Sequence, residues 1–319
     1  MKMSVHVLAL ILLALVGQTI PDQDPGASLP SWEYEGDLGP KFWGSLHPDW
    51  TLCESGKYQS PVDIKPRALL FDPSLRRIDI DAPKTVRGTL YNTGHDVTIV
   101  LDDVIDNAVN ISDGPLMYRY RIVQIKFHFG HDDNWGSEHT IDGIPFTAEI
   151  QFMAYNTDIY TSLAEAVKSP YGVSVIAVFA ELGEPVDEGF DNLAADIQKI
   201  QRQGQTSRVE TLPFMSLMSN TNYYVTYEGS LTQPGCHETV TWILFNKPVY
   251  ISKVLLHSLR SLYRWSGDRA APLLSNIRPT KPLNNRSLRT NINFPDDTKS
   301  GLCGMTKSTF YQLNPSITF

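Results

Sequence analysis

Short apolar runs recur along the chain between turn-forming residues, and their lengths predict strands rather than helices. Val97 to Leu101, Ile122 to Phe129, Ala148 to Met153, Val173 to Phe179, Val240 to Phe245 and Val249 to Leu256 are the clearest. Helical periodicity is sparse. Leu163 to Val167 has room for one or two turns, and Phe190 to Ile200 is the best longer candidate, with Asp191 as its cap. Strands dominate, so the fold class is mostly β (α+β).

The N-terminal end has a different pattern. Lys2, an unbroken apolar run from Val7 to Val16, and then Gly17, Gln18 and Thr19 predict a secretory signal over residues 1–19. Read as a membrane anchor, that run is too short to span comfortably, and no second long apolar stretch follows, so no membrane span is expected. Residues 20–31, rich in Pro, Asp and Gly, read as a flexible leader. The chain from 295 to 319 is polar and ends in Ile317-Thr318-Phe319, without the apolar tail of a lipid-anchor signal.

The 319 residues are enough for one large domain with a substantial core. A hydrophobic content of 42% with 19% charged residues fits a soluble globular protein. The net charge of −8, without a basic stripe, argues against nucleic acid as a partner. There is no internal repeat and no G-x-x-x-x-G-K-[ST] phosphate loop. Secretion changes how Cys53, Cys236 and Cys303 are read, since an oxidising compartment favours one bridge and one thiol left over.

The chemistry concentrates in three pieces: Gln124-Ile125-Lys126-Phe127-His128-Phe129-Gly130, Gly136-Ser137-Glu138-His139 and Ala148-Glu149-Ile150-Gln151. On a strand, Lys126 and His128 point the same way, as do Glu149 and Gln151. That face looks like a metal site with its ligands removed. One imidazole remains, an ammonium has no lone pair, and an amide is a poor zinc ligand. A lone strand histidine is more often a hydrogen-bonded core residue than a ligand. His131, among Asp132, Asp133 and Asn134, reads as exposed surface.

These pieces resemble the zinc-binding core of the α-carbonic anhydrases, in which three histidines hold the metal. Gly39-Pro40-Lys41-Phe42-Trp43, Gln59-Ser60-Pro61-Val62-Asp63-Ile64 and Thr290-Asn291-Ile292-Asn293-Phe294 extend the resemblance over residues 32–294. It implies a single domain over that range, with a large, mainly antiparallel twisted sheet and short peripheral helices. It sets Lys126, His128 and Gln151 at the three ligand positions. Gln124, Glu149 and Asn276 fall at the positions that orient those ligands, and His139 at a structural one. Thr232 and Glu138 fall at the pair that positions zinc hydroxide, and His95 at the proton shuttle, here an unremarkable exposed loop histidine. Leu231, Val175, Val240 and Trp242 match the substrate-pocket wall, which Met153 narrows. Glu149, left without a histidine to orient, is expected to take Lys126 as its counter-charge.

The resemblance also pairs Cys53 with Cys236 and leaves Cys303 free or bonded to another chain. Asn-x-Ser sequons mark Asn110 and Asn285 for glycosylation. Asn110, ahead of a turn signal, is expected to be the more exposed. Within the family the chain resembles the secreted, catalytically silent carbonic anhydrase-related proteins of the ten and eleven type. That implies no cofactor and a binding function toward an extracellular or cell-surface protein, such as a neurexin-type receptor or a partner disulfide-linked through Cys303. The alternative is a weakly active zinc-dependent carbonate dehydratase or hydrolase with an improvised metal site.

Overall fold

The computed structural model describes residues 31–293 apart from 185, 187, 188, 267 and 268. The expected signal 1–19, the leader up to residue 30, Cys303 and the tail 295–319 lie outside the described residues.

A 13-stranded sheet organises the chain. Its middle is built by Tyr120–Phe129, Ala148–Asn156, Val173–Leu182 and Val240–Phe245, side by side in that order. These strands read as near-continuous apolar runs because both of their faces are covered, and every residue of Ala148–Asn156 is buried. Val97–Leu101, Val86–Asn92 and Thr206–Leu212 extend the sheet on one side, and Tyr224–Gly229, Arg289–Thr290 and Leu70–Phe71 on the other. Most pairings are antiparallel. Val173–Leu182 runs parallel to Val240–Phe245 and to Val249–Ile251, and Arg289–Thr290 parallel to Leu70–Phe71.

Alternation along the central strands separates core from site. Ile125, Phe127, Phe129, Ile150 and Phe152 enter the larger apolar cluster, with Phe190, Leu193 and Ile197 from the helix Gly189–Ile197 and Leu255, Leu256 and Leu259 from the helix Lys253–Arg260. The residues between them, Lys126, His128, Glu149 and Gln151, face the other way. A second cluster lies on that side, and it contains Met153, Val175, Leu231, Val240 and Trp242. Register sets Lys126 opposite Gln151 and His128 opposite Glu149.

Local chemistry corrects three expectations. Val249 to Leu256 is not one strand. The strand Val249–Ile251 stops at Ser252, whose hydroxyl accepts from the Leu255 N–H and opens the helix Lys253–Arg260. Leu255, Leu256 and Leu259 are a helical stripe, not the end of a strand. The helix of the 190s begins at Gly189, so Asp191 lies inside it rather than capping it. The sequons are reversed: Asn110 is half-buried within the strand Val109–Asp113, paired on both sides with Asp81 and Arg121, whereas Asn285 is exposed.

Cys53 and Cys236, 183 residues apart in sequence, are joined by a disulfide. Among the described residues no helix is long and apolar enough to cross a membrane.

Candidate functional site

Lys126, His128, Glu149 and Gln151 are all buried, and each has a defined partner. The Lys126 ammonium donates to Asp96 Oδ2 at 3.1 Å and to Gln233 Oε1 at 2.7 Å. Asp96 is locked in turn. Its Oδ1 accepts from the hydroxyls of Thr93 and Thr98, both at 2.7 Å, and its Oδ2 accepts from Gln233 Nε2, also at 2.7 Å. Burial pushes the Asp96 pKa up. The Lys126 charge and the donors of Thr93, Thr98 and Gln233 outweigh that and hold it well below the usual carboxylate range.

Lys126 is therefore the counter-charge of Asp96, which corrects the pairing with Glu149. Glu149 does have a histidine to orient. His139 Nδ1 lies 2.9 Å from Glu149 Oε1, and the His139 backbone N–H donates to Oε2 at 2.8 Å. Burial raises the Glu149 pKa, but His139 more than reverses this and sets it at about 2. On its far side His139 Nε2 is 2.7 Å from the Tyr227 hydroxyl, which donates to Ser60 Oγ at 2.9 Å. His139, Glu149 and Ser60 are fully buried and Tyr227 nearly so, so this network holds strands together away from water.

Gln151, expected at the third ligand position, is held by hydrogen bonds. Its Nε2 donates to Glu138 Oε2 at 2.8 Å and to Glu149 Oε1 at 2.9 Å. Glu138 Oε1 accepts the Arg278 N–H at 3.0 Å and lies 3.6 Å from His128 Nδ1. His128 Nδ1 is 2.8 Å from the main-chain carbonyl of Asn276. The Asn276 side chain instead bridges the backbone of Phe127 and Phe129, 2.8 Å from each. Gln124 is buried, and no hydrogen bond reaches its amide among the described residues. Thr232 is buried beside Leu231 and Gln233.

His95 is not an exposed loop residue. It stacks on Trp32 with centroids 3.8 Å apart, and its Nε2 donates to the Trp32 carbonyl at 2.9 Å. Burial lowers its pKa, so the ring is held neutral as a donor. His131 is exposed.

Three residues important here escape a reading of the sequence. Asp96 follows Asn92-Thr93-Gly94-His95 directly, and the need of a buried lysine for a carboxylate was the available signal. Gln233 offered no signal beyond its place in the Thr232 segment. Arg278 is fully buried, and no carboxylate is hydrogen-bonded to its guanidinium among the described residues. Its guanidinium donates to the carbonyls of Ser60 at 2.7 Å and Cys53 at 3.1 Å and to Gln59 Oε1 at 2.9 Å, and burial lowers its pKa to about 10. The disulfide segment and Glu138 are thereby tied to one residue. Among the described residues no three His, Cys, Asp or Glu side chains are grouped so as to hold a metal ion.

Residues 38–292 match the family model described as eukaryotic-type carbonic anhydrase. The chain is 40% identical over 288 residues to carbonic anhydrase-like protein 2 of Caenorhabditis elegans, covering 87% of this chain and 85% of that protein. It is 32% identical to carbonic anhydrase-like protein 1 of the same organism, covering 82% of this chain and 90% of that protein.

Proposed function

The chain belongs to the eukaryotic-type carbonic anhydrase family, and from that premise we propose that it is a catalytically silent, secreted member that works as an extracellular interaction module. The observation that carries the reading is the Lys126–Asp96–Gln233 cluster. Zinc catalysis in this family requires a cation bound by neutral or anionic lone-pair donors. At the first ligand position this chain has an ammonium, itself a cation and a hydrogen-bond donor. At the third, the amide nitrogen of Gln151 is directed at two carboxylates. His128 alone supplies an imidazole, so these residues do not fit the family's zinc ion.

The buried carboxylates are satisfied without a metal. Asp96 is balanced by Lys126, and Glu149 is hydrogen-bonded to His139. The family scaffold is thus retained while its catalytic centre is filled by protein groups, which favours a role in binding. The Cys53–Cys236 bridge and the apolar N-terminal run support an oxidising, extracellular setting. The partner class is a cell-surface protein, with a neurexin-type receptor as one to test, and Cys303 is the cysteine available to such a partner.

Metal content and carbon dioxide hydration of the purified protein test the silent site, and a non-reducing pull-down of surface proteins tests the binding role. Stoichiometric zinc after dialysis, with hydration above background, would overturn the first. Recovery of no surface protein would overturn the second.

A further inference from the structure

The three residues at the ligand positions keep hydrogen-bonding capacity that the protein does not use. His128 Nδ1 faces the Asn276 carbonyl, which can only accept, so Nδ1 carries the proton. In the neutral ring Nε2 is then a bare acceptor. It is fully buried and has no hydrogen-bond partner among the described residues. Gln151 directs its amide nitrogen at the carboxylates of Glu138 and Glu149, which settles which end is the nitrogen and leaves Oε1 as a second acceptor to which no described residue donates. Lys126 has three N–H donors and spends two, on Asp96 and Gln233. Lys126 and Gln151 are paired across adjacent strands, and the Glu138 carboxylate lies against both Gln151 and His128. The unused capacity is therefore one donor and two acceptors on one face of the sheet.

An unmet buried acceptor is costly, so a partner for His128 Nε2 is strongly favoured. A metal ion would satisfy Nε2 and Gln151 Oε1 but would meet the Lys126 ammonium. An anion would satisfy Lys126 but not the two acceptors. Water satisfies all three, since its oxygen accepts from Lys126 while its two protons go to the acceptors, and a small alcohol satisfies Lys126 and one acceptor. We propose that Lys126, His128 and Gln151 form a binding site for one hydroxyl group, that of water or of a small alcohol, where family members bind a metal. Water makes all three bonds, which is the usual number for a buried water. An alcohol makes two and directs its carbon toward the apolar cluster that contains Met153 and Leu231.

This inference rests on the metal-free reading, and a crystal structure with anomalous data at the zinc edge separates the two. The expected result is oxygen density within about 2.7–3.2 Å of Lys126 Nζ, His128 Nε2 and Gln151 Oε1, without an anomalous peak. Soaking in ethanol then identifies the source: density that lengthens assigns the site to alcohols, and unchanged density assigns it to water. A zinc peak would overturn the metal-free reading itself. No zinc and no oxygen would overturn the hydroxyl site alone. In solution, ¹⁵N spectra of His128 should show Nδ1 protonated and Nε2 bare. A cross-peak from a long-lived water to the Lys126 ammonium should disappear in His128→Phe. If that variant does not fold, the wild-type tautomer still decides, because a proton on Nε2 refutes the proposal.

Discussion

Replacing Lys126 by Met tests the charge balance of the site. The methionine is similar in length but leaves Asp96 as a buried carboxylate without its cation. The donors of Thr93, Thr98 and Gln233 remain, so they do not enter the difference. The loss is the ammonium, plus the donor to Gln233 Oε1. Breaking a buried pair in this way costs about 3–5 kcal/mol. Protonating Asp96 bounds its share: taking up a proton at pH 7 with an ordinary pKa of about 3.9 costs roughly 3.1 × 1.36, or about 4 kcal/mol. With a urea m-value of about 3 kcal/mol/M, the midpoint should fall by about 1–1.7 M at pH 7.

The sign of the pH dependence follows from the depressed Asp96 pKa in the wild type. That group contributes stability above its unfolded pKa of about 3.9 and loses it as pH falls through the lower folded value. In Lys126→Met the folded pKa is raised instead, so the variant gains relative stability as pH drops from 7 toward 4. The gap between the two proteins should therefore be widest at pH 7 and small at pH 4. Paired urea titrations at the two pH values measure it, and Asp96→Asn in the Lys126→Met background should recover part of the loss. An unchanged midpoint at pH 7, or a gap that does not narrow at pH 4, would refute the role given to the Lys126–Asp96 pair.

Other expectations follow from the same contacts. The purified protein should contain no stoichiometric zinc by elemental analysis, whereas Lys126→His with Gln151→His should take it up, because Glu149 is already placed to orient residue 151; a double variant that binds none would show that position to be wrong. Tyr227→Phe removes the hydroxyl between His139 and Ser60 and should cost about 1–3 kcal/mol in denaturant titration. Glycosidase treatment of protein expressed through a secretory pathway should shift its mobility, and Asn285→Gln should remove more of that shift than Asn110→Gln, since Asn285 is exposed and Asn110 is half-buried in a strand. Cys303→Ser should abolish any disulfide-linked species on non-reducing gels, and its persistence would clear Cys303 of that role.

Much of the fold was legible because strand order and residue alternation are local. Five of the apolar runs became strands of the large sheet, and period two alone put Lys126 with His128 and Glu149 with Gln151 on shared faces. The expectation that the metal ligands are lost rests on the chemical types of Lys126 and Gln151, since an ammonium has no lone pair and an amide is a poor zinc ligand. Partnership was not legible. Asp96 lies 30 residues from Lys126 and Gln233 lies 107 residues from it, and only the packing of Val97–Leu101 beside Tyr120–Phe129 brings that carboxylate to the ammonium. His139, 10 residues from Glu149, supplied the partner that sequence reasoning assigned to the lysine. In each case the sequence determined which group needed a counterpart, through its charge and hydrogen-bonding valence. Only the tertiary structure decided which counterpart, because that depends on distances across the sheet that residue order does not encode.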